Sequence, residues 1–187
     1  MRSNLVSYVI LIALSSLPNH IAANNRIIVD QQQPRVDLSV GGLAIGGDSQ
    51  QMLAQTVTVG RGGKLIGVSL PIGCDSGALV IEVRTLEGDQ PGALVLRQRR
   101  FTPGEIPSLL AGFPFFRLGD GLSFAKGDRF ALVFRNPTGS CGIFQAPGGD
   151  TYTAGEAFFD ARPNQPGWVR FSDTQTAVDL PFKTWVE

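Results

Sequence analysis

The stretch Lys64-Leu65-Ile66-Gly67-Val68-Ser69-Leu70-Pro71-Ile72 decides how this chain reads. Ile66, Val68, Leu70 and Ile72 take alternate positions, with Gly67, Ser69 and Pro71 between them. A period of two places one apolar row on one side of an extended segment, because successive side chains of a strand point to opposite faces. A helix would need apolar residues every three or four positions, and no window outside the amino terminus supplies them. The same alternation returns at residues 78–85, where Leu79, Ile81 and Val83 oppose Glu82 and Arg84. It returns again at residues 129–136, where Phe130, Leu132 and Phe134 oppose Arg129 and Arg135.

Working outward, weaker versions of the pattern occupy residues 52–59, 93–101, 113–118, 141–145, 156–161, 168–172 and 179–186. Glycine and proline clusters separate them at 60–63, 88–92, 119–121, 127–128, 137–139 and 147–149, where positive φ or a fixed chain direction makes a turn. About nine or ten short strands without helices to cover a parallel sheet predict an all-β, antiparallel β-sandwich of jelly-roll type. The sandwich domain is expected over residues 49–187. Residues 24–48, with Gln31 to Gln33 and two glycine pairs, read as a loosely structured leader holding one short strand near 36–43.

Before the leader, a nearly continuous apolar run from Leu5 to Leu14 follows Arg2 and gives way to small residues ending in Ala22 and Ala23. Its length of about ten residues is half of the roughly twenty that a membrane-spanning helix needs. The layout predicts a signal peptide over residues 1–23, cleaved after Ala22 or Ala23, and a secreted or periplasmic product without a membrane span. In an oxidising compartment Cys74 and Cys141 pair most simply as one disulfide, with a loop-entropy contribution of roughly 4 kcal/mol. Two buried thiols, or a nucleophilic cysteine, are the alternatives.

Charge and composition narrow the chemistry. Among 187 residues, 16 Lys and Arg balance 16 Asp and Glu, so no net field draws nucleic acid. The one histidine, His20, lies in the expected signal peptide, which removes the commonest general base from the mature chain. Gly73-Cys74-Asp75-Ser76-Gly77 resembles the surround of a chymotrypsin-like serine, but that triad cannot operate without imidazole. A tight turn explains it. Carboxylates are scattered, so a glycosidase pair cannot be argued and no catalytic residue is assigned. Asp75, Asp120, Asp128, Asp150 and Asp179 lie in or beside turns, where local hydrogen bonding accounts for them and a structural calcium ion is the second reading. Otherwise no cofactor is called for. Arg97, Arg99 and Arg100 read as a solvated strand edge.

Aromatic residues are the remaining signal. Phe130, Phe134 and Phe182 fall on apolar faces and fill a core. Period two instead sets Trp185 with Lys183, opposite Leu180, Phe182 and Val186, and sets Trp168 with Arg170, opposite Val169 and Phe171. Two indoles with neighbouring donors make a surface on which a sugar ring stacks, and Tyr152 is the third candidate ligand-binding residue. A covering segment is the competing explanation.

The order of segments is similar to secreted bacterial sandwich modules known as choice-of-anchor R domains. Gln55-Thr56-Val57-Thr58-Val59-Gly60 with Gly63, Lys64, Leu65 and Val68 resembles their opening. Val80-Ile81-Glu82-Val83-Arg84-Thr85 with Gly88, Pro91 and Gly92 resembles their second hairpin, and residues 127–133 a later core strand. Tyr152, Ala154, Gly155, Glu156, Ala157, Phe158 and Phe159 resemble their tyrosine-glycine segment, and Asp179-Leu180-Pro181-Phe182-Lys183-Thr184 their closing strand. The resemblance implies an extracellular, surface-associated module with a carbohydrate-binding-like sandwich and no catalytic residues. The expected function is a secreted, non-catalytic surface or binding module whose partner is a polysaccharide or cell-surface component. The alternative is an extracellular glycan hydrolase or lyase on the same scaffold.

Overall fold

The computed structural model describes residues 26–106, 112–162 and 164–187, and the expected signal peptide lies outside them. Thirteen strands occur among the described residues. In chain order they are β1 (Ile28–Gln33), β2 (Leu43–Gly46), β3 (Met52–Thr58), β4 (Gly63–Ser69), β5 (Ile72–Cys74), β6 (Leu79–Glu87) and β7 (Gln90–Phe101). They continue with β8 (Phe115–Phe124), β9 (Arg129–Arg135), β10 (Ser140–Ile143), β11 (Ala157–Ala161), β12 (Gln165–Arg170) and β13 (Phe182–Val186). The chain is all-β with antiparallel sheets, as the alternation requires. A four-stranded sheet runs β1-β13-β4-β8, a six-stranded sheet β12-β11-β3-β9-β6-β7, and a small sheet β2-β10-β5.

The two large sheets meet face to face and close one core. Leu53 and Val57 of β3, Leu79, Ile81 and Val83 of β6, and Phe130, Leu132 and Phe134 of β9 point inward from the six-stranded sheet. Leu65, Val68, Phe116, Leu118 and Phe182 answer from the other. Aromatic pairs cross between them, with Phe101 edge-on to Phe116 at 5.1 Å and Phe124 stacked on Phe130 at 4.8 Å. Polar residues also face inward, Gln55 of β3 and Thr184 of β13 among them. Gln55 is fully buried, yet its amide donates to Asp179 and its carbonyl accepts from the backbone of Leu180 at 2.8 Å, so burial leaves no orphan.

Four expectations are corrected. Within the expected leader, 24–48, the described residues from 26 on are not loose: β1 pairs with β13 and β2 with β10, and the strand expected near 36–43 is reduced to a bridge of Asp37 with Gln145. The expected strand at 64–72 is divided into β4 and β5, and a bulge between Leu65 and Gly67 turns Leu65 to the main core together with Val68. The glycines at 119–121 do not end a strand. Gly119 and Gly121 sit inside β8 with φ of 98° and 84°, where its pairing with β4 shifts register. Arg97 and Arg99 are not merely a solvated edge. They donate to the carbonyls of Gly121 and Arg117, stitching β7 to β8 where the two large sheets adjoin.

The turn at Asp75-Ser76-Gly77 forms as expected. Gly77 has φ of 71°, and Asn136 holds the turn by accepting from the backbone of Ala78 and donating to the carbonyl of Ser76. Cys74 and Cys141 are directly opposite on β5 and β10 and are joined by a disulfide. The bridge lies in the small sheet, at the end of the sandwich where β3 begins and β4 and β9 finish. Among the described residues, no helix is long and apolar enough to cross a membrane.

Candidate functional site

The outer face of the six-stranded sheet carries side chains that its register sets in rows. One row crosses all six strands as Gln98, Glu82, Val133, Ala54, Phe158 and Arg170. The next brings Arg84, Ala131 and Thr56 together. Ala54, Ala131, Val133 and Phe158 form a second, smaller apolar cluster with Leu86 and Trp168 packed against it. Every member of that cluster comes from the sheet itself, so among the described residues this face is roofed by its own side chains.

Beside the cluster lies an open cleft of about 270 Å³. Thr56 and Thr58 of β3 make its floor, the loop 153–156 one wall, and Arg129, Arg170 and Asp89 the others. Arg129 donates to Asp89 at 2.7 Å, and Arg170 reaches Glu156 at 3.3 Å and Asp89 at 3.9 Å. Ser172 also donates to Glu156. The Arg129 hydrogen bond holds the Asp89 carboxyl below the usual carboxylate value. The loop is fastened from below: the backbone of Thr56 and Glu156 pairs at 2.9 Å, and the Thr58 hydroxyl donates to the carbonyl of Ala154 at 2.7 Å.

Trp168 and Trp185 do not share a groove. Trp168, two residues before Arg170, is half-buried on the outer face just described. Trp185 is half-buried on the opposite side of the molecule, outside the four-stranded sheet, where Phe115 meets it edge-on at 6.1 Å. With Ile27 these two rings line an apolar notch of about 230 Å³. The indole N–H of Trp185 already donates to the buried hydroxyl of Ser69 at 2.9 Å, so its polar edge serves the fold.

Tyr152 is a core residue, 7% exposed, with its ring edge-on to Phe182 at 5.0 Å. Its hydroxyl accepts from the N–H of Thr58 and donates to the Thr58 carbonyl, and burial pushes the phenol's pKa up. Its role is to hold the chain leading into the cleft wall. Of the turn aspartates, Asp128 accepts from the N–H of Ala125, and Asp179 accepts from the N–H groups of Thr151 and Tyr152. No group of three or more His, Cys, Asp or Glu side chains gathers among the described residues.

Arg170 was legible beside Trp168, but Asp89, Arg129 and Glu156 were not. Asp89 and Arg129 are 40 positions apart and Arg170 and Glu156 14 apart, and only the strand pairing brings them together. In sequence each is an ordinary polar residue of a turn or strand end. Compared with family models, curated proteins and solved structures, the chain matches none.

Proposed function

We propose that this chain is a secreted, non-catalytic carbohydrate-binding module that takes a polysaccharide on the outer face of its six-stranded sheet. A half-buried indole, Trp168, on the same sheet face as an open cleft lined by hydroxyls, guanidinium groups and carboxylates carries this reading. Sugar recognition needs an apolar platform for the ring face together with fixed, planar hydrogen-bonding groups for the hydroxyls. Trp168 supplies the first, and the ion pairs of Arg129 and Arg170 hold the second in place. The notch at Trp185 offers only apolar surface and suits a sugar less well.

A jelly-roll order supports the same class. The pairs β1·β13, β2·β10, β3·β9, β4·β8 and β6·β7 are nested one inside another, as in a long antiparallel ribbon rolled over itself. The likeness to choice-of-anchor R modules and the disulfide, which suits an oxidising compartment, agree with a surface-associated protein. Hydrolysis is the weaker alternative. It needs a carboxyl kept protonated as general acid, whereas Arg129 pulls Asp89 the other way.

Retention on a glycan array separates these readings. Wild type should bind at least one polysaccharide, Trp168→Ala and Arg170→Ala should lose most of that retention, and Trp185→Ala should keep it. A wild type that binds no glycan overturns the proposal, and cleavage of a bound glycan transfers it to the hydrolase reading.

A further inference from the structure

The same face has an excess of guanidinium groups, built over buried acids. Glu82, 1% exposed, lies between Arg84 and Arg135, whose Nε atoms donate to its two oxygens at 2.7 and 2.6 Å. Asp160, fully buried, accepts from Arg162, whose side chain is 57% exposed. Arg100 and Arg135 stand either side of Val80 in one cross-strand row. With Arg129 and Arg170, the face presents six arginines against the carboxylates of Glu82, Asp89, Glu156 and Asp160, two of which lie beneath the surface.

Depth is the important variable here. A carboxylate under a guanidinium fixes the plane and direction of that group, while its own charge is withdrawn from anything arriving at the surface. One buried Glu82 serving two arginines leaves one positive charge over, and Arg100 adds another, with no carboxylate within ion-pair distance among the described residues. Six strands at about 4.8 Å spacing give a surface roughly 24 Å across, enough for several consecutive sugar residues. The apolar centre is Ala54, Ala131, Val133 and Phe158, with Leu86 and Trp168 packed against it from β6 and β12, and Arg129 and Arg135 stand at the two ends of its β9 segment.

From this arrangement we infer that the polysaccharide is acidic: the module takes carboxylate- or sulfate-bearing chains in preference to neutral ones, with Arg100 and Arg135 reading the anions and Arg84 holding Glu82 beneath them. The inference rests on the proposed glycan-binding function and specifies its ligand class. Guanidinium forks match planar carboxylate and sulfate oxygens in pairs, which an ammonium cannot do. The chain's overall neutrality confines this attraction to one face and gives no general affinity for polyanions.

Dextran, dextran sulfate and polygalacturonate are suitable probes, measured by calorimetry or affinity electrophoresis on the full mature protein. Dextran sulfate or polygalacturonate should bind at least tenfold more tightly than dextran, weakening about tenfold between roughly 0.05 and 0.5 M salt. The double variant Arg100→Gln/Arg135→Gln, which leaves Glu82 paired to Arg84, should lose about tenfold in affinity for the acidic chains while keeping the wild-type strand signal by circular dichroism and its cooperative melt. Arg35→Gln, in the loop after β1, should lose none. Equal affinity for dextran and its sulfate, with Trp168 still required, overturns the acidic preference and leaves glycan binding standing. Equal loss in Arg35→Gln, or single-stranded DNA bound as tightly as polygalacturonate, reduces the effect to unspecific charge and also overturns it. Binding of no polysaccharide, acidic or neutral, removes both.

Discussion

At the scale of single residues, Asp179 has the most to tie together. Its carboxylate accepts from the backbone of Thr151 and Tyr152 at 2.9 and 2.8 Å and from Gln55 at 3.2 Å, and so anchors the chain that enters the cleft wall. Burial raises its pKa above the usual 3.8, against the pull of those hydrogen bonds and with the help of the nearby Asp150 charge. A raised carboxyl binds its proton more tightly in the folded state, so its contribution is most favourable at acid pH. That contribution is lost as pH rises from about 3.8 through the folded value. Thermal melts from pH 3 to 7 should therefore show wild type losing ground to Asp179→Asn as pH increases, and a gap that does not change with pH rejects the account. Gly155 is constrained by space rather than charge. A Cβ there would run into the carbonyl of Thr56, so Gly155→Ala should cost about 1–3 kcal/mol and deform the cleft wall. A denaturant midpoint equal to wild type would show that the loop relaxes freely.

At the scale of elements, the small sheet and the outer cluster can each be tested alone. The disulfide clips β5 to β10 across a separation of 67 residues, and Asn136 donates to the sulfur of Cys141 while also holding the adjoining turn. Replacing both cysteines by serine should lower stability by about 2–4 kcal/mol while leaving the sheets intact by circular dichroism. Loss of all strand signal would mean that the small sheet is required for folding itself. On the other side, Glu82 depends on its two arginines. Arg84→Gln/Arg135→Gln together would strand a buried carboxylate at a cost of about 3–5 kcal/mol, far more than the sum of the single changes. Additive single and double effects in urea titrations would show that Glu82 finds water or protonates cheaply.

For the whole molecule, β1 matters more than its composition suggests. It covers the free edge of β13, and its Gln31 exchanges hydrogen bonds with Thr184, 153 positions away. A protein beginning near Asn24 keeps this strand, whereas one beginning at Pro34 leaves the β13 edge open and should melt lower and aggregate on concentration. Light scattering of the two forms checks it, and equal behaviour would make β1 dispensable. By itself, the sequence determined the all-β class, the inward rows of β6 and β9, the turn at Gly77 and the outward direction of Trp168 and Trp185. All follow from a side-chain period of two and from residues that fix local φ, which are properties of a few neighbouring positions. Only the tertiary structure decided that residues 28–33 form a strand, because Ile-Val-Asp-Gln-Gln-Gln has no alternation and is held by a partner at the far end of the chain. It alone separated the two indoles onto opposite faces, buried Tyr152, and gathered Asp89, Arg129, Glu156 and Arg170 around one cleft. Those outcomes depend on which strands become neighbours, and pairing between distant segments leaves no periodic mark in either of them.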